Sequence, residues 1–284
     1  MTSCKAKFNQ IMRNIHQLIY SLSIFAILSF TLPLCSKPAE TKPVPVNEEQ
    51  ALQSHYGTAD AATYLTGRFN PANHPDFALV KNYSIDDNNR GIYLRKETLE
   101  ALQKLHTQLK KDLPDVSFWV QSGTRNYYHQ KAIWESKWNG KVMVGGINLT
   151  TIANPVERAR RILSYSSMPG TSRHHWGTDF DINSLTVDYY KTGKGKKLYD
   201  WMVENAPKYD FCLPYSQKET SGRKGYEFEP WHWSYKPLSK IFVKEWESLY
   251  NQGKINGSQL DFDGAASSFP VAIEYVSGIS ADCR

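Results

Sequence analysis

Two short stretches of the chain carry the residue types of a hydrolytic metal centre. Ser172-Arg-His-His-Trp-Gly-Thr-Asp-Phe-Asp181 and Glu229-Pro-Trp-His232 together offer imidazoles, carboxylates and a spare glutamate. Hydrolytic zinc usually takes three protein ligands from His and Asp/Glu and leaves a fourth position for water. His174, Asp181 and His232 can be those ligands, with one zinc per chain. Glu229 is then the free carboxylate that takes a proton from the activated water. The chemistry expected is peptide hydrolysis.

The spacing constrains the backbone. His174 and Asp181 lie seven positions apart, too far for one helical face, and Gly177 between them permits a turn followed by a strand. Asp179 competes with Asp181, because the two share a face on a strand. Asp181 is the preferred ligand, with Asp179 orienting an imidazole or meeting a substrate amine. His175 points away from His174 on an extended backbone and reads as a packed or hydrogen-bonded neighbour. Glu229 and His232 are three apart, which on a regular strand would face them in opposite directions. Pro230 implies a bulge or edge position that brings both side chains to one cleft. Two imidazoles and a carboxylate also suit iron(II), but the free glutamate favours hydrolysis and hence zinc.

Around these stretches the apolar pattern gives an α+β fold: a single domain with a small, mainly antiparallel sheet flanked by helices and zinc in a cleft on the sheet. Leu99, Leu102, Leu105 and Leu109 recur at helical steps over about 96–112. Val116–Gln121 reads as a strand, and Ser122-Gly-Thr-Arg125 turns into a helix over 126–138. A loop carrying Gly145-Gly146 follows over 140–155, then a short helix from Glu157 to Tyr165. Further on, a helix is expected from Lys196 to Ala206, strands at Phe211 and at Tyr226–Tyr235, and an amphipathic helix over 238–251. His74, between turn signals, reads as a surface histidine, and Trp176, Trp231 and Trp233 as core and cleft wall.

The N-terminus has the pattern of an export signal. Lys5, Lys7 and Arg13 precede an uncharged, largely apolar run over 18–34, and Cys35 follows it. Leu32-Pro-Leu-Cys35 resembles a bacterial lipobox, although Leu34 stands where a small residue is usual. An uncleaved anchor is the alternative, since the run reaches the lower limit of about 17 residues for a membrane span. Either way the remainder lies outside the cytoplasm, attached through the leader or a lipid on Cys35. The expected layout is a leader over 1–35, a tether and irregular segment over 36–75, the peptidase domain over 76–262 and a tail over 263–284. Cys212 and Cys283 are the cysteines left outside the leader, either paired or free. A net charge of +6, dispersed along the chain, excludes a nucleic-acid stripe and suits an anionic wall polymer.

Three ordered motifs resemble those of the VanY-type D-alanyl-D-alanine carboxypeptidases, a group of zinc peptidases that includes L,D-carboxypeptidases and L-alanyl-D-glutamate endopeptidases. They are Ser122-Gly-Thr-Arg125 with Gln130, Ser172-x-His174-x-x-Gly177-x-x-x-Asp181, and Glu229-Pro-Trp-His232, within about 95–245. The resemblance implies that His174, Asp181 and His232 bind zinc and that Glu229 is the catalytic acid/base. It further implies that Arg125 contacts a substrate carbonyl or carboxylate, and that Ser172 and Gln130 line the cleft. Thr124 stands where an aromatic is common, and the 140–155 segment is an addition. The expected activity is removal of the terminal D-Ala from peptidoglycan stem peptides. The other bond specificities of the group come next, and a zinc-containing wall-binding module without turnover is the competing class.

Overall fold

The stripe of leucines from Leu99 to Leu109 forms one face of a helix that covers half of a small sheet. The structure is a computed structural model and describes residues 53–284. The N-terminal described segment holds helix α1 (Ala61–Leu65) and a hairpin of β1 (Phe77–Leu79) and β2 (Tyr93–Arg95). Helix α2 (Lys96–Asp112) follows, with the boundaries its apolar period predicts and Lys110 and Lys111 in its last turn. Next come β3 (Val120–Ser122), α3 (Tyr127–Trp138), α4 (Pro155–Ile162) and β4 (Asp179–Ile182). The chain continues through α5 (Gly193–Asn205), β5 (Phe211–Cys212), α6 (Lys218–Ser221), β6 (His232–Tyr235) and α7 (Lys236–Asn251). It closes with the short helices α8 (Ala265–Ser268) and α9 (Ala272–Val276).

The central sheet is antiparallel throughout, in the order β3-β4-β6-β5. Its β4–β6 register sets Asp181 opposite His232, Phe180 opposite Trp233 and Asp179 opposite Ser234. Because side chains alternate along a strand, Phe180, Ile182 and Trp233 point to one face and Asp179, Asp181, His232 and Ser234 to the other. The apolar face packs with the α2 leucines and with Leu198, Trp201 and Met202 of α5. The polar face is buried too, under the layer formed by α1, α3, α7 and the C-terminal helices. Burial of polar side chains on one face of a four-residue strand is costly unless each has a partner, which marks that face as functional.

Three tryptophans of the second layer donate their indole N–H groups to carbonyls. Trp134 donates to Asp263 O at 2.9 Å, Trp176 to Leu65 O at 3.1 Å and Trp246 to Gly170 O at 2.9 Å. Each such side chain buries about 150–250 Å², an upper estimate of about 4–6 kcal/mol per residue. These contacts also set the limits of the domain. Tyr56, Tyr64 and Leu65, in the segment expected to be irregular, lie in the same core as Trp176 and Phe242. Buried Arg95 fixes them, donating to His55 O and Tyr64 Oη while it pairs with Asp76 and Glu97. In the expected tail after 262, Phe269, Ala272, Tyr275 and Val276 are buried as well. A disulfide joins Cys283 to Cys212 of β5. Both extensions are poor in long apolar periods, so their packing could not be read from pattern alone.

Residues 140–155 form a loop with a single turn of 3-10 helix at Leu149–Thr151, as the glycines imply. The leader, with Cys35 and the apolar run over 18–34, falls outside the described residues, as does most of the 36–55 tether. Among the described residues no helix is long and apolar enough to cross a membrane.

Candidate metal centre

His174, Asp181 and His232 converge, and every one of them is buried. Their donor atoms all lie within 4.8 Å of one another. His174 Nε2 is 3.3 Å from Asp181 Oδ2, and His232 Nδ1 is 3.1 Å from Asp181 Oδ1. Asp181 and His232 are cross-strand neighbours on β4 and β6, so two of the three positions follow from sheet register. His174 comes from a 3-10 turn at Arg173–Trp176 that Gly177 ends in the left-handed region, with φ of 75°. A side chain at Gly177 would also run into Phe77 and Arg95. The turn-then-strand geometry expected for this stretch is what the backbone adopts.

The outer nitrogen of each imidazole is committed to an oxygen, which leaves the inner one to offer its lone pair once a metal ion displaces any proton there. His174 Nδ1 lies 2.9 Å from Gly123 O, and His232 Nε2 lies 3.0 Å from Asp179 Oδ1. Asp181 Oδ1 is buried and receives no well-aligned hydrogen bond. Atoms held about 2.0–2.2 Å from one tetrahedral cation sit about 3.3–3.6 Å apart. The two imidazole-to-carboxylate distances are close to that, and the unpartnered carboxylate oxygen is the atom such a cation would satisfy. The residues fit a zinc ion.

Glu229 reaches the same place through a turn. His232 N–H donates to Glu229 O at 3.2 Å, with Pro230 as the second residue of the turn. The expected bulge is therefore a tight turn just before β6, and proline's fixed φ suits that position. Glu229 Oε2 lies 3.6 Å from His232 Nδ1. Burial pushes Glu229 up to about 8, helped by the Asp181 carboxylate and opposed by His232 and Arg125. A dication at the cluster would draw it down again. Burial, together with the charge of Arg125, holds His174 down to about 4, so its imidazole is neutral. For His232 burial acts downward, but the Asp179 hydrogen bond and the Asp181 carboxylate outweigh it and raise the imidazole to about 9.

Asp179 stands behind the metal cluster rather than in the cleft. It is fully enclosed, and its carboxylate accepts from Arg173 Nε at 2.8 Å, Thr178 Oγ1 at 2.6 Å, Ser234 Oγ at 2.9 Å and His232 Nε2. With every lone pair engaged it orients an imidazole and has none left for a substrate amine. Arg173, missed in the sequence, is its counter-ion: Nη2 donates to Ser234 Oγ at 2.7 Å, and the guanidinium lies 4.8 Å from the Trp176 ring centroid. A lone arginine within an otherwise buried stretch was the available signal. His175 is buried and bonds Arg125 O and Gly170 N through its two nitrogens, as a structural neighbour should. His74 sits among Tyr64, Phe69 and Phe77, away from the cluster.

The cluster opens into a cavity of about 550 Å³ whose wall includes Arg125, Gln130, Lys137, Tyr165, Tyr215 and Trp231. Arg125 is placed by its backbone, whose N–H donates to His174 O at 3.2 Å, just ahead of the Asn126 cap of α3. Gln130 Nε2 donates to Ser167 O at 2.7 Å, leaving its Oε1 without a partner in the cavity wall. Ser172 is not in that wall: it is fully buried at the start of the 3-10 turn, and its Oγ has no partner. Its place on the chain, two residues before a ligand, did not reveal that its side chain points into the protein. Trp176 and Trp233 are core and Trp231 is cleft wall, as expected.

The family model described as VanY, D-alanyl-D-alanine carboxypeptidase, matches residues 91–238, more than half of the chain. The YodJ protein of Bacillus subtilis (strain 168) is 28% identical over 196 residues, 67% of this chain and 58% of that one. A D-alanyl-D-alanine carboxypeptidase of Enterococcus faecium is 27% identical over 158 residues, 55% of this chain and 41% of that one. The chain thus spans less than two thirds of the length of either relative. A solved structure of VanYB in complex with D-alanine-D-alanine is similar with a TM-score of 0.39 at 24% identity, covering 58% of this chain and 81% of that one. By its match to the family model, this chain belongs to the VanY D-alanyl-D-alanine carboxypeptidase family.

Proposed function

We propose that the protein is a zinc-dependent carboxypeptidase that removes the terminal D-Ala from peptidoglycan stem peptides outside the cytoplasm. The observation that carries this reading is the convergence of His174, Asp181 and His232 in the wall of an open cavity, with the Glu229 carboxylate 3.6 Å from His232 Nδ1. A purely structural metal would have no use for a buried carboxylate at that point.

Zinc held by the two imidazoles and Asp181 supplies Lewis acidity, lowering the pKa of a water to about 7 and polarising a carbonyl. The rest of the chemistry belongs to the chain. Glu229 accepts the proton of the attacking nucleophile and returns it to the departing amine nitrogen. Asp179, itself pinned by Arg173, keeps the His232 ring in one tautomer and orientation throughout. Arg125 presents a fixed positive charge to the cavity, where it stabilises either the oxyanion of the scissile carbonyl or the terminal carboxylate. Gln130 offers its free Oε1 to a substrate N–H. Trp231 and Tyr165 add aromatic surface to the wall of the same cavity.

The compartment follows from two supports. The Cys212–Cys283 disulfide suits an oxidising environment, and the apolar run before Cys35 has the pattern of an export leader with lipid attachment at that cysteine. The test of function is the mass of the product when the zinc-loaded full chain meets a muropeptide ending in D-Ala-D-Ala. Loss of one alanine, abolished by chelator, is expected. Cleavage only of a tetrapeptide, or between L-Ala and D-Glu, would replace the bond assignment, and binding without cleavage would replace the enzyme.

A further inference from the structure

The cavity wall carries two cations, Arg125 and Lys137, that form no direct ion pair among the described residues, although the Glu229 carboxylate acts on both at longer range. Arg125 donates from Nη1 to Ser122 Oγ at 3.1 Å, and its Nε is buried without a partner. Lys137, in the last turn of α3, shares the helix face of Gln130 and Ile133 and donates to Ser166 Oγ. The carboxylates along the same wall are committed elsewhere. Asp181 and Glu229 belong to the metal cluster, and Asp188 pairs with Lys191 at 2.8 Å on the exposed rim.

A hydroxyl does not balance an ammonium. Burial and the like charge of Arg125 hold Lys137 below the ordinary lysine value, so the free protein bears a cost for keeping it there. An aliphatic side chain would line that wall without the cost. The two cations are anchored to different segments, Arg125 to Ser122 at the end of β3 and Lys137 to Ser166 in the loop after α4. Along α3, Lys137 stands about 10 Å beyond Gln130, the length of about three residues of extended peptide.

We infer that Lys137 is a specificity-determining residue that pairs with a second substrate carboxylate, borne by a residue upstream of the C-terminal pair. The preferred substrate is then a peptide with a diacid residue at that place, not one whose only carboxylate is terminal. This deepens the carboxypeptidase reading and rests on it.

The test uses two pentapeptides ending in D-Ala-D-Ala, whose third residue is a diamino diacid with its side-chain carboxyl either free or amidated. Both kcat/KM from D-Ala release and Kd by calorimetry are measured on the zinc-loaded full chain, its Lys137→Met variant and its Lys137→Arg variant. The wild type should favour the free carboxylate by about tenfold or more, the discrimination typical of a charged hydrogen bond. Lys137→Met should still bind both peptides but bring the ratio to about one, and Lys137→Arg should keep the ratio. A wild-type ratio near one overturns the inference. So does a Lys137→Met variant that weakens both peptides equally, since Lys137 would then read the shared terminal carboxylate. If neither peptide loses D-Ala, the carboxypeptidase reading has failed by itself, and the ratio of Kd values still decides the role of Lys137.

Discussion

Replacing Asp179 by asparagine keeps the shape of the side chain and removes its charge, and two separable losses should follow. Arg173 is fully buried, and Asp179 is its only anionic partner among the described residues, at 2.8 Å. Leaving a buried ion without its partner costs about 3–5 kcal/mol. For a domain of this size that lowers Tm by roughly 6–20 °C, at about 2–4 °C per kcal/mol. The second loss is at the metal. Asp179 Oδ1 receives His232 Nε2 at 3.0 Å, and the removal of such a supporting carboxylate typically weakens metal binding by about 10–100-fold. Thermal unfolding in chelator reads the first loss, and zinc competition against a chromophoric chelator reads the second. The double variant Arg173→Met/Asp179→Asn should recover part of the stability, because no cation is left stranded, without recovering zinc affinity. An Asp179→Asn protein with unchanged Tm and zinc affinity within about twofold of the wild type would refute the placement of Asp179 as the support of His232.

Two further outcomes follow from the frame around the site. Cys212 and Cys283 are 71 positions apart, and opening a loop of that length removes about 4 kcal/mol of stability by the chain-entropy estimate. Cys283→Ser, or reduction, should therefore lower the midpoint of thermal unfolding by roughly 8–16 °C, and an unchanged midpoint would show that the C-terminal helices hold without the bond. Gly177→Ala places a side chain at φ of 75° and against Phe77 and Arg95, at a cost of more than about 1–2 kcal/mol. It should weaken zinc binding as well as stability, because this glycine ends the turn that carries His174; a variant with wild-type affinity would separate the turn from the metal site.

The candidate site was legible in the sequence because the residues proposed as its ligands sit in short, punctuated motifs. Gly177 announced the turn between His174 and Asp181, and the period of two over Asp179–Ile182 put both aspartates on one face. Helix α2 was legible from four leucines. What could not be read lies in contacts between segments distant in the chain. Arg173 has meaning only once Asp179 and Ser234 surround it, and Lys137 only once Ser166 and Arg125 stand across the cavity. Ser172 shows the converse: a hydroxyl placed well in the motif turns inward when the chain enters a 3-10 turn. Glu229 and His232 were foreseen on one side, but by a bulge, whereas the proline makes a turn. The short hairpin of β1 and β2 and the packing of the C-terminal segment gave no period to read, because their burial depends on Arg95, the disulfide and scattered aromatics.

The claim on which the rest depends is that three residues hold one zinc while Glu229 remains free to move protons. Its most direct measurement is zinc content and D-Ala release on the wild type and Glu229→Gln side by side, with a peptide ending in D-Ala-D-Ala. Both proteins should bind one zinc and bind the peptide, and the variant should lose turnover by about 10²–10⁴-fold. Turnover that survives in Glu229→Gln, or a wild type that releases D-Ala equally well after zinc removal, would contradict the account.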